Sequence, residues 1–241
     1  MSPRWNHRRR LLPLLLLVAA CGGTTTPVID PGDGGNYTFD LGPADFVSGI
    51  DNPYLPLTVG SRWVFEGGGE RTEIEVLTET RVVMGITATV VRDTVTEDGE
   101  LIEDTYDWFA QDIDGNVWYL GEESVEYRGG APVSTAGSWE AGVDGALPGI
   151  VMPAELVVGH AYRQEFYRGE AEDLAQIARI DESVTVPIGT YSDVVVITEW
   201  NPLESGVVEE KSYAPGVGMI MEKTIRGGSG SAVLIEYTPG G

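Results

Sequence analysis

From about Phe46 onward the chain is cut at short intervals by clusters of Gly, Pro, Asn and Ser. The segments between them are short and rich in β-branched and aromatic residues. Thr72-Glu73-Ile74-Glu75-Val76-Leu77-Thr78 alternates polar with apolar, and a period of two buries one face of an extended strand while wetting the other. Arg62-Trp63-Val64-Phe65, Thr87 to Thr96, Leu101 to Gln111 and Val117 to Leu120 have the same character. So do Tyr162 to Tyr167, Ser183 to Val186, Val194 to Trp200, Val207 to Tyr213, Met219 to Ile225 and Ala232 to Tyr237. Asp98-Gly99 between two such runs is a hairpin signal, and Asp114-Gly115-Asn116 marks another turn. Roughly ten or more strands in a row predict an all-β, mainly antiparallel meander, folded as a curled sheet, a sandwich or a partial barrel. At most one or two short helices are expected. The best placed is Glu170 to Ile180, where apolar residues at 171, 174, 177, 178 and 180 make a passable helical face.

The meander echoes itself. Val59-Gly60-Ser61-Arg62-Trp63 is similar to Val158-Gly159-His160-Ala161-Tyr162. Gly85 before a Thr/Val strand matches Gly189, and Glu103-Asp104-Thr105-Tyr106 matches Glu209-Glu210-Lys211-Ser212-Tyr213. The order is kept, which fits two similar half-sheets joined by the Gly-rich stretch Pro132 to Pro153. The alternative is that β-meanders share such features without any repeat.

Upstream of the strands lies a different kind of sequence. Residues 1–20 hold four of the 15 basic side chains and none of the 38 acidic ones. A basic start, the apolar run Leu11 to Ala20 and small residues before a possible cut are the marks of an export signal. The run is too short to span a bilayer, which takes about 20 apolar residues. Val18-Ala19-Ala20-Cys21 resembles the lipobox of bacterial lipoproteins. That resemblance implies removal of residues 1–20 and acylation of Cys21, the only cysteine in the chain. Arg8-Arg9-Arg10-Leu11-Leu12 also resembles a twin-arginine export signal, although a merely basic segment serves equally. Residues 21–45, dominated by Gly, Thr, Pro and Asp, read as a flexible tether, and residues 46–241 as one β-rich domain.

Composition narrows the chemistry. The net charge of −23 becomes more negative once the basic leader is gone, and such a chain repels nucleic acid and anionic lipid surfaces. After cleavage His160 is the only histidine, so a three-histidine zinc site is excluded, and an acylated cysteine excludes Cys-His catalysis. Nothing implies a cofactor. The partners expected are the membrane, through the lipid on Cys21, and an apolar ligand or another envelope protein.

Four segments carry a further resemblance: Tyr106-Asp-Trp-Phe-Ala-Gln-Asp, Asp114-Gly-Asn-Val-Trp-Tyr-Leu-Gly-Glu, Gly137-Ser-Trp-Glu-Ala-Gly-Val-Asp-Gly and Tyr213-Ala-Pro-Gly-Val-Gly. They resemble uncharacterised bacterial secreted lipoproteins. The Tyr-x-Pro-Gly-Val-Gly turn is similar to that of all-β, TapB-like envelope domains. The resemblance spans roughly residues 46–238. It implies a β fold and an envelope address, and it brings no catalytic residues.

Three sets of side chains are candidates for chemistry. Asp112, Asp114 and Asn116 place oxygens at alternate positions, as part of a calcium loop does, and the same residues also make an ordinary turn. Adjacent acids such as Glu103-Asp104, Glu122-Glu123, Glu172-Asp173 and Glu209-Glu210 raise the alternative of a polysaccharide hydrolase with paired carboxylates. Neighbours on a strand point to opposite faces, however, and a wet acidic surface accounts for most acids. Trp139 sits in a loop, residues 137–153, that mixes Gly with Val143, Leu147, Ile150, Val151 and Met152. That mixture predicts a segment lying across an apolar surface, as a plug, as a packed crossover, or as the lining of a ligand site.

The excess of acidic over basic side chains also predicts how the domain responds to salt. Screening should relieve self-repulsion, so the thermal midpoint should rise between low and moderate salt. An unchanged or lower midpoint contradicts this.

Overall fold

Two-residue turns set the topology. Asp98 and Gly99 hold φ of 52° and 80°, the tight turn whose twist matches that of paired strands. Met84 and Gly85 repeat it one hairpin earlier, at 51° and 80°. In the computed structural model, which describes residues 29–203 and 206–241, these turns join β2 (Glu70–Val83), β3 (Ile86–Glu97) and β4 (Glu100–Gln111). β1 (Arg62–Gly67) precedes them, and β5 (Val117–Arg128) follows the Asp114-Gly115-Asn116 turn. Three short strands cross to the second half: β6 (Ala131–Ser134), β7 (Trp139–Glu140) and β8 (Leu147–Met152). The second half comprises β9 (Ala161–Arg163), β10 (Glu165–Phe166), β11 (Leu174–Val186), β12 (Gly189–Trp200), β13 (Val208–Ala214), β14 (Gly218–Arg226) and β15 (Gly230–Thr238).

These strands form one antiparallel sheet, ordered β10-β8-β5-β4-β3-β2-β1-β15-β14-β13-β12-β11-β9, with β6 and β7 attached to β5. The terminal strands β9 and β10 are successive pieces of one segment, parted by Gln164 alone. The sheet therefore curls until its two ends meet in the chain, without closing into a barrel. The fold is all-β, as expected. Among the described residues, helix is limited to a 3-10 turn at Pro43–Asp45.

Residues 170–180 correct one expectation. They are not helical: Ala171 bridges to Tyr167, and Leu174 begins β11. The register of β11 against β12 shifts at Ile177/Arg179, Arg179/Glu182 and Glu182/Val184. Such bulges break the alternation of two and leave an apolar spacing that imitates a helix. The stretch 29–45, read from composition as tether, lies against the domain. The Tyr37 hydroxyl donates to the Pro148 carbonyl at 2.8 Å, Phe39 meets Trp118 edge-on, and Asp33 pairs with Arg163. The earlier part of the expected tether lies outside the described residues.

Strand parity sorts the core into two layers. On β3 and β4 the even positions Ile86, Ala88, Val90, Trp108 and Ala110 pack together on the convex side with Trp118, under Phe39, Leu41 and Phe46. The odd positions Val91, Asp93, Asp107 and Phe109 face the concave side. There the main cluster draws on both halves, from Trp63, Phe65 and Val76 to Ile197, Ile220 and Leu234. Burying this many large side chains, at about 1.5–3 kcal/mol each, is the principal stabilising term.

The two halves are built alike. Gly60 N–H donates to Val76 O at 2.9 Å, and Gly159 N–H to Ile177 O at 2.8 Å. Val76 N–H returns to Ser61 O, and Ile177 N–H to His160 O, each at 3.0 Å. Farther along, Asp107 pairs with Glu122 as Lys211 pairs with Glu222. Beside them Phe109 pairs with Tyr119 as Tyr213 pairs with Met219, and in both ladders a register shift leaves one extra residue, Leu120 or Ile220. The echo in the sequence is therefore real, with one adjustment: Tyr213 corresponds in register to Phe109, not to Tyr106.

The bulge at Leu120 re-aims β5. Before it, the even residues Trp118 and Leu120 join the convex core; after it, Glu122 faces the concave side opposite Asp107. Gly121 permits the bulge, at φ 130°, where a Cβ would stand 2.3 Å from the Trp139 carbonyl oxygen. Gly121→Ala should destabilise the domain by about 3 kcal/mol through this backbone clash. Urea unfolding reads the loss, and wild-type stability in the variant contradicts the assignment.

Candidate functional site

The concave face is only partly apolar. Val91 and Asp93 on β3 lead across the ladders to two rungs, Val91–Asp107–Glu122 and Asp93–Thr105–Ser124. The second half repeats both: Ile197–Lys211–Glu222 and Glu199–Glu209–Thr224. Cross-strand partners share a face, so each half aims a band of polar side chains inward. Segment 161–173 adds Gln164, Glu165 and Asp173 where the curl nearly closes.

Between these walls lies a cavity of about 130 Å³. Leu55, Leu57, Ile74, Val91, Phe109 and Met219 are among its apolar lining. Asp93, Asp107, Glu165, Asp173, Glu199 and Lys211 line it as well, with Tyr119, Tyr213 and Gln164. Asp93, Glu165, Asp173, Glu199 and Lys211 are each less than a tenth exposed.

Much of this polar set is internally bonded. Tyr119 Oη donates to Asp107 Oδ1 at 2.6 Å. Gln164 Nε2 donates to Glu199 Oε1 at 2.9 Å, and Lys211 Nζ lies 2.7 Å from Glu199 Oε2. Trp139 Nε1 donates to Glu165 Oε2 at 3.0 Å. Asp93 Oδ1 differs, with no donor among the described residues, while the Asp173 carboxyl is hydrogen-bonded to Glu165.

Electrostatics follow from burial. Loss of water raises the pKa of Asp93, and the nearby Asp107 raises it further. Burial likewise raises Asp107, Glu122, Asp173 and Glu222, with Glu165 adding to the shift at Asp173. Burial alone would lower Lys211, but Glu199 and Glu222 outweigh it and hold the ammonium charged.

The residues singled out in the sequence fall in several places. Cys21 lies outside the described residues. Asp112 organises a turn: Oδ1 accepts from the Asp114 and Asn116 amides at 3.0 and 2.9 Å, while Oδ2 accepts from Asn116 Nδ2 and Trp118 Nε1 at 2.8 and 2.7 Å. These four donors occupy the oxygens that a calcium loop would need free, and Asp114 is exposed. Trp139 is buried opposite Glu122, edge-on to Tyr119 at 5.4 Å, and supports the cavity through Glu165 without lining it. His160 is exposed. As expected for strands, the adjacent acids split: Glu122 is buried while Glu123 is exposed. The residues missed in the sequence are Asp93, Asp107, Glu199 and Lys211, while Asp173 was singled out only as half of an adjacent pair. In Val91-Arg92-Asp93-Thr94-Val95 the acid is in phase with the buried valines, and that phase was the available signal.

A pH dependence follows, with its sign. In the window between unfolded carboxylates, near about 4, and the raised folded values, the folded state binds more protons than the unfolded state. Stability from Asp93, Asp107, Glu122, Asp173 and Glu222 is full below that window and is lost as pH rises through it. Asp33, Glu73 and Glu210 are held low by Arg163, Arg62 and Arg179, and they act oppositely only at more acidic pH. The melting midpoint should therefore rise as pH falls from 8 to 5. A falling midpoint over that range contradicts the protonated interior.

No protein-family model and no curated protein matches the chain. Among solved structures it is similar to one from Bacteroides fragilis NCTC 9343, assigned as an exported protein with a YmcC-like fold. The identity there is 14%, with a TM-score of 0.48 over 78% of this chain and 100% of that one. A second similar structure is from Parabacteroides distasonis ATCC 8503 and is assigned as a lipoprotein. That likeness has 13% identity and a TM-score of 0.36, over 78% of this chain and 99% of that one.

Proposed function

We propose that this is a lipid-anchored protein of the bacterial cell envelope whose curled sheet binds a small ligand in its interior, without catalysing a reaction. The observation that carries the binding role is the cavity, lined by both apolar side chains and buried acids. Ligand pockets combine an apolar lining with a few placed polar groups in this way. The anchor rests on Val18-Ala19-Ala20-Cys21 behind its basic and apolar segments. Two acyl chains hold a protein stably on a membrane, at about 0.8 kcal/mol per buried methylene. The resemblance to TapB-like envelope domains points to the same address. A polysaccharide hydrolase needs a groove that admits a chain of sugars, and a cavity of about 130 Å³ favours binding of a small molecule instead.

Two measurements test this reading. Cys21→Ser should abolish metabolic labelling with palmitate and release the protein from membranes; continued labelling contradicts the anchor. Benzyl alcohol, a neutral probe of the right size, should bind the full-length protein in calorimetry once detergent-only titrations are subtracted. It should fail to bind Ile74→Trp, which fills the cavity. Equal binding to both proteins contradicts the cavity as the site.

A further inference from the structure

We infer that the cavity takes a primary ammonium group carried on an apolar body about the size of one ring, an inference that rests on the cavity's being the binding site. The repeat supplies the argument. Asp93 stands to Asp107 in the first half as Glu199 stands to Lys211 in the second. In the second half the acid is answered from within, because Lys211 Nζ lies 2.7 Å from Glu199 Oε2. In the first half the equivalent of that lysine is itself an acid, and it is engaged by the Tyr119 hydroxyl. Asp93 is 8% exposed, and its Oδ1 has no donor among the described residues. Asp173, at 7%, also lines the cavity, with its carboxyl hydrogen-bonded to Glu165.

Among the described residues, Lys211 is the one cationic side chain lining that space, and Glu199 holds it. The cavity thus offers a buried carboxyl oxygen, Asp93 Oδ1, without a matching donor. An ammonium brings three N–H donors and a positive charge that favours the ionised form of the carboxyls beside it. Its apolar body would lie against Leu57, Ile74, Phe109 and Met219. The volume of about 130 Å³ is near that of an engineered cavity, roughly 150 Å³, that accepts benzene. A bare divalent ion suits the site less well, since no three acidic, histidine or cysteine side chains among the described residues converge closely enough to hold one.

The test compares benzylamine with benzyl alcohol at pH 7 on the full-length protein, by calorimetry. Benzylamine should bind at least tenfold more tightly. Asp93→Asn should bring the two within about twofold. Asp107→Lys, which gives the first half the second half's arrangement, should weaken benzylamine at least tenfold. Equal binding of the two probes to the wild-type protein overturns the ammonium and leaves the cavity standing; failure of both to bind overturns both readings. Undiminished benzylamine binding in a folded Asp93→Asn or Asp107→Lys protein overturns the proposal. So does displacement of benzylamine by calcium chloride alone, which would make the site a metal site.

Discussion

The ladder between the first and last long strands holds the architecture together. β1 pairs with β15 from Arg62↔Thr238 to Glu66↔Val233, joining the two half-sheets into one surface. Without it each half is an open meander with exposed edges, prone to pairing with other chains. With it the sheet is long enough to curl back, and the segment around Gln164 brings the far ends together. Trp63, stacked on Tyr237 at 5.5 Å and donating Nε1 to the Val217 carbonyl at 2.7 Å, fastens this joint from inside. An enclosed interior exists because the two edges at the joint consume each other.

That interior is costly to fill with acids. A buried carboxyl is tolerated when it is bonded or when it gives up its charge. Both solutions occur here. Glu199 keeps an ammonium and an amide, while the folded environment moves Asp93 and Asp173 toward the neutral form. A chain this rich in Asp and Glu has ample room for acids on its surface, so their place inside fits the proposed use of the cavity better than the needs of folding.

Much of the fold was legible in the sequence. The hairpin at Asp98-Gly99, the turn at Asp114-Gly115-Asn116 and the repeated Val-Gly motif all act locally, and local chemistry is written in adjacent residues. Residues 170–180 misled because β-bulges in β11 displace apolar residues from strict alternation. The repeat was visible where a glycine turn marks it, but it slipped near Tyr106, because register depends on bulges that a linear comparison does not count. The site was hidden for a different reason. With 38 acids in the chain, those that turn inward differ from the rest only in their phase relative to buried neighbours. For Glu122 even that phase is reset, by the extra residue at Leu120.

The exchange of Asp107 for Lys211 between two similarly built halves has one more consequence. A pocket formed by two like halves would present a guest with two rotationally related ways to lie, equal in energy, and so would favour a disordered occupant. A residue of opposite sign removes that degeneracy. It would give the proposed binding chamber a head and a tail and favour a single orientation for a guest.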